Sequence, residues 1–291
     1  MPPFAIFLVL LSSFIHAGWN LTVRNQHTDY AFLRIVVVTT VIGLGPTLAA
    51  EFWQRPILGQ VWGYLIVAGF FQATYYLGLS RGYQHGDFTV IYPIARTLPV
   101  LLVALGDVVR GHAPSPVAWM GMILVSVGCL FIPLESWRGF SLARYWNRSM
   151  LWAVVTALSI VGYTITDKLA AELIEPGPWT AARYGIFEIA SSAVFYWLVL
   201  KGFSRPAATP ASWADWRWAA LAAVGVFGAY WLILWAYQLA FQASYVVALR
   251  QFSIIIGVAL GALFLREAAP LLRLSAACLM VAGIVGIALG G

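Results

Sequence analysis

The chain has 291 residues, of which 62% are hydrophobic and 10% are charged. Because a soluble domain carries about 25% charged residues, this composition excludes a soluble globular protein and indicates an integral membrane protein. The net charge of +6 does not predict a nucleic-acid partner, since the Lys and Arg residues stand singly between apolar runs. The two cysteines lie in separate apolar runs without metal-ligand spacing, so neither a metal nor a cofactor is expected.

The chain contains ten apolar runs of membrane-spanning length, which requires about 20 residues. The first run has no basic segment before it, so it is interpreted as a retained helix and not as a cleaved signal peptide. The sequence therefore predicts an all-α membrane protein with ten transmembrane helices. The runs cover residues 4–23, 31–50, 61–80, 88–109, 115–134, 149–168, 180–200, 217–240, 243–264 and 270–290.

The two halves of the sequence resemble each other. Residues 12–24, "SSFIHAGWNLTVR", align with residues 156–168, "TALSIVGYTITDK", and a further alignment superposes Arg96 on Arg250. We interpret residues 1–136 and 149–291 as two five-helix repeats joined by a loop at 137–148. Because five is odd, the second repeat is expected to be inverted, a pattern typical of alternating-access transporters with a midplane site between the repeats.

Helix one carries a polar stripe. Ser12, His16 and Asn20 recur every four residues, with Trp19 beside them. Helix six repeats the stripe weakly with Thr156, Ser159, Tyr163 and Asp167. Such stripes are expected to face the bundle interior, where they either hold helices together or line a cavity.

Arg96 and Arg250 interrupt the fourth and ninth runs, and a guanidinium at that depth needs partners or water. One interpretation is a structural ion pair with Glu188, near the centre of helix seven. Since one acid cannot neutralise two arginines, the other interpretation is a cavity that admits a substrate anion. Pro93 and Pro99 flank Arg96 and are predicted to act as hinges in the cavity wall.

Other side chains complete the candidate site. Deep aromatic residues offer stacking faces with a polar tip, although each can equally pack against a neighbouring helix. Glu188 and His16 are the candidates for proton coupling. The candidate substrate-binding residues are His16, Trp19, Asn20, Tyr75, Tyr76, Tyr92, Arg96, Tyr163, Trp231, Trp235, Ser244, Arg250 and Gln251.

The "HAGWN" segment at the end of helix one, Arg34, and the run containing Arg266, Glu267 and Pro270 give a family resemblance. The chain resembles the EamA-type drug/metabolite transporter superfamily along nearly its whole length. The resemblance implies two inverted five-helix repeats around a central cavity and, in bacterial members, export of small metabolites, including aromatic amino acids by exporters of the YddG kind.

We therefore expect a multi-pass inner-membrane exporter of small amphipathic metabolites, most simply aromatic or neutral amino acids. Two alternatives stay open: a transporter of organic or phosphorylated anions, and an intramembrane enzyme, for which no catalytic motif is found. The expected partners are a small-molecule substrate and the lipid bilayer, and a monomer is compatible with the sequence. Both termini are expected on one side, but the loop charges place them outside the cytoplasm whereas the resemblance implies the cytoplasm.

Overall fold

The computed structural model describes residues 1–23, 28–85, 88–132, 148–203, 211–264 and 271–290. All of its regular elements in these ranges are α-helices. The predicted residues Arg266, Glu267 and Pro270 lie outside the described ranges, as do the side chains of Asn20, Tyr92 and Pro93. The helices are α1 (Pro3–Val23), α2 (Asp29–Trp53), α3 (Leu58–His85), α4 (Phe88–Val109), α5 (Pro116–Phe131), α6 (Arg148–Ala171), α7 (Pro178–Phe203), α8 (Trp213–Leu239), α9 (Ala243–Arg250), α10 (Phe252–Phe264) and α11 (Leu271–Gly290).

Local sequence signals set several helix starts. The Ser115 hydroxyl accepts a hydrogen bond from the Ala118 N–H at 3.1 Å, and Pro116 occupies the first turn, where its missing N–H costs nothing. Ser212 and Asp215 form a reciprocal capping box at the start of α8. Within the described ranges, five helices are long and apolar enough to cross a membrane.

The ninth predicted run contains a break that the sequence did not predict. It is divided into α9 and α10 at Gln251, whose N–H donates to the Ala248 carbonyl at 3.1 Å in a tightened turn. The Gln251 side-chain Nε2 donates at 3.2 Å to the Val247 carbonyl, which the α-helical pattern would have paired with the Gln251 N–H. The side chain thus replaces the backbone bond lost at the break. By contrast, α4 runs unbroken through both of its prolines, so their hinge role stays a prediction.

Small residues permit close helix packing. A Cβ added at Gly121 of α5 would lie 2.6 Å from the Gly283 carbonyl of α11, so these helices approach closely through glycine. Elsewhere α1 packs on α8, α3 packs on α6 and α7, and α4 packs on α6 and α9. The polar stripes of α1 and α6 are buried as predicted, with Ser12, His16, Tyr163 and Asp167 among the buried residues. The centre of the bundle is therefore polar.

One end of the bundle gathers several helix ends. The Lys168 ammonium at the end of α6 donates to the Tyr237 and Ala240 carbonyls at the end of α8, at 3.0 and 2.7 Å. The Ser115 hydroxyl donates at 2.6 Å to the Gly290 carbonyl, and Phe4 lies 5.1 Å from Trp235 between ring centroids. Helix α1 thus begins, and α11 ends, at this same end, which is called the closed end below.

Candidate functional site

Two adjoining cavities lie in the centre of the bundle. They share His16 from α1, Tyr75 from α3, Tyr163 from α6 and Arg250 from α9, so the two cavities lie on opposite sides of the same side chains. The cavity nearer the closed end is also lined by Ala95, Arg96, Pro99, Ile160, Thr164, Tyr237, Val247 and Gln251. The other is also lined by Trp19, Phe32, Ile35, Val36, Gln72, Tyr76, Ile189, Val226 and Tyr230.

The cavities are narrow. The space that the centre of a water molecule can occupy is ≈ 30 Å³ in one and ≈ 40 Å³ in the other. One water needs roughly 10–15 Å³ of such space. Each cavity therefore has room for a few waters, and a metabolite requires the surrounding helices to move apart.

Arg96 is held by its neighbours. Its Nη2 donates to His16 Nε2 at 2.9 Å, and the Trp19 indole N–H lies 3.2 Å from His16 Nδ1. Both ring nitrogens of His16 thus face groups that can only donate. A protonated imidazole carries N–H groups on both nitrogens and would oppose donors on both sides. The geometry therefore favours a neutral His16 that positions Arg96, and its role in proton coupling stays a prediction.

Arg250 is placed differently, at the last residue of α9. Its carbonyl lies 3.4 Å from the Ser13 hydroxyl, and its Nε is buried without a hydrogen-bond partner. In the described ranges no carboxylate forms an ion pair with Arg250. Arg250 is thus a cation in the cavity wall whose Nε is free to take an anionic ligand.

Aromatic rings form one wall of the space. Tyr75 lies 5.3 Å from Tyr76 and 5.9 Å from Tyr163 between ring centroids, and Tyr163 lies 6.2 Å from Tyr230. These separations fall in the range of favourable aromatic pairs. The tyrosines present apolar faces and hydroxyl tips beside the two arginines, so the cavity combines cationic and aromatic groups.

Glu188 has a partner that the sequence did not predict. The Tyr230 hydroxyl oxygen lies 2.9 and 2.8 Å from the two carboxylate oxygens of Glu188 and 2.5 Å from Asp167 Oδ2. Tyr184 donates to Asp167 Oδ1 at 3.0 Å. Both acids are 0% exposed. The predicted ion pair between an arginine and Glu188 is wrong for the described ranges, where Glu188 shares Tyr230 with a second acid.

The closed end is tied by a charged network. Asp107 of α4 accepts the Ser244 and Ala243 N–H groups at the start of α9, at 2.8 and 3.3 Å. Arg110 pairs with Asp107 at 3.3 Å and with Glu172 at 2.6 Å. Lys168 also pairs with Glu172, at 3.0 Å. These contacts join α4, α6, α8 and α9, so the network closes this end of the cavity.

Several predicted site residues lie away from the cavity. Trp231 donates from its indole nitrogen to the Pro178 carbonyl at 2.7 Å and stacks on Trp235 with centroids 6.2 Å apart. Ser244 lies at the closed end, where its backbone N–H binds Asp107. None of these three lines either described cavity, which corrects their predicted place in the site.

The site also involves residues outside the predicted substrate-binding set. Tyr237 and Thr164 line it, and Asp167 touches it through Tyr230. The spacing of four between Tyr163 and Asp167 was the available signal, because it places both on one face of α6. In the described part of the chain no group of three or more His, Cys, Asp and Glu residues is arranged to hold a metal ion.

The chain resembles known proteins both in sequence and in fold. Over an alignment of 131 residues, the chain is 27% identical to an uncharacterized transporter in the cobO 3' region of Sinorhizobium sp.. The alignment covers 44% of this chain and 89% of that protein. A crystal structure described only as that of a protein matches with a TM-score of 0.74 at 13% identity, over 99% of this chain and 98% of the other, which shows a shared fold.

A family model matches the chain twice. The EamA-like transporter family model covers residues 3–134 and again residues 147–289, which together are most of the 291 residues. Each match falls on one of the two similar halves of the sequence. The chain therefore belongs to the EamA-like transporter family, whose members span the membrane.

Proposed function

We propose that this membrane transporter exports small amphipathic metabolites, aromatic or neutral amino acids, across the inner membrane by alternating access between two inverted five-helix halves. Family membership supports transport. The observation that carries the substrate class is the cavity wall, where Arg96 and Arg250 stand beside Tyr75, Tyr76 and Tyr163.

The two kinds of side chain suit the two parts of such a substrate. A guanidinium binds a carboxylate through charge-assisted hydrogen bonds. The unpartnered Nε of Arg250 leaves a donor for that group. The tyrosine and Trp19 faces suit an aromatic or large apolar side chain. An amino acid would thus place its carboxylate at the arginines and its side chain against the rings.

The narrow cavity and the charged network support a conformation with the closed end sealed. Substrate access then requires separation of the helices at the opposite end, and release requires the network of Asp107, Arg110, Lys168 and Glu172 to open. Motions of this kind around a fixed central site define alternating access.

A second candidate substrate is an organic or phosphorylated anion. Two arginines line one cavity, and the described part of the chain shows no carboxylate paired to Arg250. Two cations can bind a group with two negative charges. This reading keeps the fold and the transport mechanism and changes only the substrate.

Counterflow into proteoliposomes tests the proposal. One set of vesicles is preloaded with mixed unlabelled aromatic, aliphatic and dicarboxylic amino acids and a second set with mixed unlabelled organic and phosphorylated anions. The entry of each labelled compound is compared with its entry into protein-free vesicles. Accumulation of aromatic or large neutral amino acids is expected. Accumulation of phosphorylated or organic anions alone would establish the second candidate instead, and no accumulation of either class would contradict both.

A further inference from the structure

A pair of buried acids adjoins the cavity and has no role in binding a substrate carboxylate. Asp167 and Glu188 are both 0% exposed and meet at the Tyr230 hydroxyl. No Lys or Arg of the described ranges forms an ion pair with either acid. Two like charges this close, bridged by one hydroxyl and shielded from water, cannot both be ionised at modest cost.

The hydrogen bonds of Tyr230 also require that one of the two acids is protonated. The Tyr230 oxygen has three carboxylate oxygens within hydrogen-bonding distance but only one proton to donate. Both acids can bond to Tyr230 only if one of them is itself a donor. The arrangement is therefore satisfied when the pair holds one proton in addition to that of Tyr230.

The hydrogen-bond donors around each acid indicate which one holds the proton. The Tyr230 hydroxyl lies within hydrogen-bonding distance of both acids, whereas the Tyr184 hydroxyl donates to Asp167 Oδ1 at 3.0 Å and gives Asp167 a second donor. The ionised form is favoured in the acid that accepts more hydrogen bonds. Asp167 is accordingly the carboxylate, and the Glu188 carboxyl donates its proton to Tyr230.

Among the described residues, the cation that acts electrostatically on Asp167 is Arg250 of α9, which also lines the cavity. Lys168 adjoins Asp167 in sequence but binds the carbonyls of α8. In the described part of the chain, the titratable groups that act on the acids from the packed helices are Tyr76 of α3, Tyr184 of α7, Tyr230 and Tyr237 of α8, and Arg250 of α9. Tyr163 of α6 packs against Tyr230.

We propose that Asp167, Tyr230 and Glu188 form a proton-binding site that releases one proton when a substrate ammonium group enters the cavity. The inference rests on the proposed function in that it assumes an amino-acid substrate. The proton leaves Glu188 for water on the side to which the cavity opens, and the ammonium group takes its place as the positive partner of the carboxylate pair. Proton and substrate then compete for one negative charge, so transport exchanges one for the other.

The shared proton is tested first without any substrate. Infrared spectra of the purified protein are expected to show a carboxylic-acid C=O band at neutral pH. The band should disappear in Glu188→Gln and persist in Glu175→Gln. Glu175 is a matched control, because its side chain is exposed and, among the described residues, pairs with Arg55 alone at the closed end. A wild-type spectrum without the band, or a band unchanged in Glu188→Gln, would overturn the proton site whatever the substrate is.

The exchange is tested with phenylalanine and with phenylpropionate, which lacks the ammonium group. At pH values where the free protein holds the shared proton, the affinity for phenylalanine should rise tenfold per unit of pH, because one proton is displaced per molecule bound. The rise should end at higher pH, where the pair has already lost that proton. Calorimetry in two buffers of different ionisation enthalpy should register that proton. Phenylpropionate should release none.

Variants separate the possible failures. Glu188→Gln and, as a second variant, Asp167→Asn should bind phenylalanine without the pH dependence, whereas Glu175→Gln should keep it. Phenylalanine binding that releases no proton would overturn the exchange while leaving the proposed function standing. An infrared band of Glu188 together with no phenylalanine binding at any pH would overturn both the amino-acid substrate and the exchange.

Discussion

Arg96 and Arg250 occupy matching positions in the two similar halves of the sequence, but the structure surrounds them differently. Arg96 lies within an unbroken α4 and bonds to His16 at 2.9 Å. Arg250 ends the short helix α9 at a break, and its buried Nε has no partner. The first arginine is thus held in position by a histidine, whereas the second keeps an unpartnered N–H donor.

The two helices are also joined to each other. At the closed end Asp107 of α4 accepts the first N–H groups of α9, and near the break the Gln251 amide lies 3.4 Å from the Arg96 carbonyl. A displacement of one helix therefore acts on the other. The arginines thus differ in their availability to a ligand, although hydrogen bonds connect the helices that carry them.

Removing the available arginine should have the largest effect. Arg250→Gln is expected to weaken phenylalanine binding about 100-fold, because a charge-assisted hydrogen bond contributes about 1.5–3 kcal/mol. Phenethylamine, which lacks the carboxylate, should lose little. Binding measured by calorimetry for both compounds checks this, with Arg217→Gln in the exposed first turns of α8 as the matched control. Equal losses for the two compounds would mean that Arg250 supports the structure and not the carboxylate.

The break that distinguishes the two arginine helices could not be read from the sequence. The fourth run contains prolines and the ninth run has none near Gln251, so the usual signal pointed to the wrong helix. The break depends on a side chain that replaces a backbone bond, and glutamine has many other possible partners. The ten apolar runs themselves were predictable, because length and hydrophobicity are dictated by the bilayer.

The types of side chain in the site were predictable from the sequence, but most of their hydrogen-bond partners were not. Spacing of four placed Ser12 and His16 on one inward face of α1, as the structure confirms. The positions of Trp231 and Trp235 along α8 were predictable from the sequence. The side of α8 on which they lie was not, because it depends on how α8 is rotated against α7. Likewise Asp167 and Glu188 meet only because α6, α7 and α8 pack together around Tyr230.

Disturbing the positioned arginine should have an intermediate effect. Arg96→Gln is expected to lower counterflow about tenfold, and His16→Ala should lower it almost as much, because Arg96 then loses the acceptor that orients it. Residues that act through one contact are not additive. The double variant should therefore be no worse than Arg96→Gln alone.

Initial counterflow rates of the unaltered protein, the two single variants and the double variant measure the coupling between His16 and Arg96. Thr97→Ala is the matched control, because Thr97 adjoins Arg96 but donates to the Ser126 carbonyl of α5 at 3.4 Å. Its counterflow should equal that of the unaltered protein. Losses that multiply in the double variant would show that His16 and Arg96 act independently.

The smallest effect is expected at the closed end, where α4 and α9 are joined. Burial raises the pKa of Glu172, but the hydrogen bonds and charges of Arg110 and Lys168 outweigh it and lower the pKa below its usual value. A carboxylate whose pKa is depressed stabilises the folded contacts above its ordinary pKa and loses that contribution as the pH falls through the lowered value. Glu172 is 39% exposed, so its pairs contribute under about 1 kcal/mol. Acid should therefore loosen this end only slightly, and in the direction of opening.

Distances between spin labels measure that opening. In a background with Cys129→Ala and Cys278→Ala, labels at Val109→Cys and Leu173→Cys report the gap between the ends of α4 and α6, where both positions are exposed. The population with the longer distance should grow as the pH falls below the ordinary range of a glutamate, and Glu172→Gln should show it already at neutral pH. Glu175→Gln, which removes an exposed pair at the same end, should not. A gap that widens equally in both variants would assign the closure to the general charge of this end. At this end the link between the two arginine helices would then rest on Asp107, whose contacts with the α9 N–H groups do not involve Glu172.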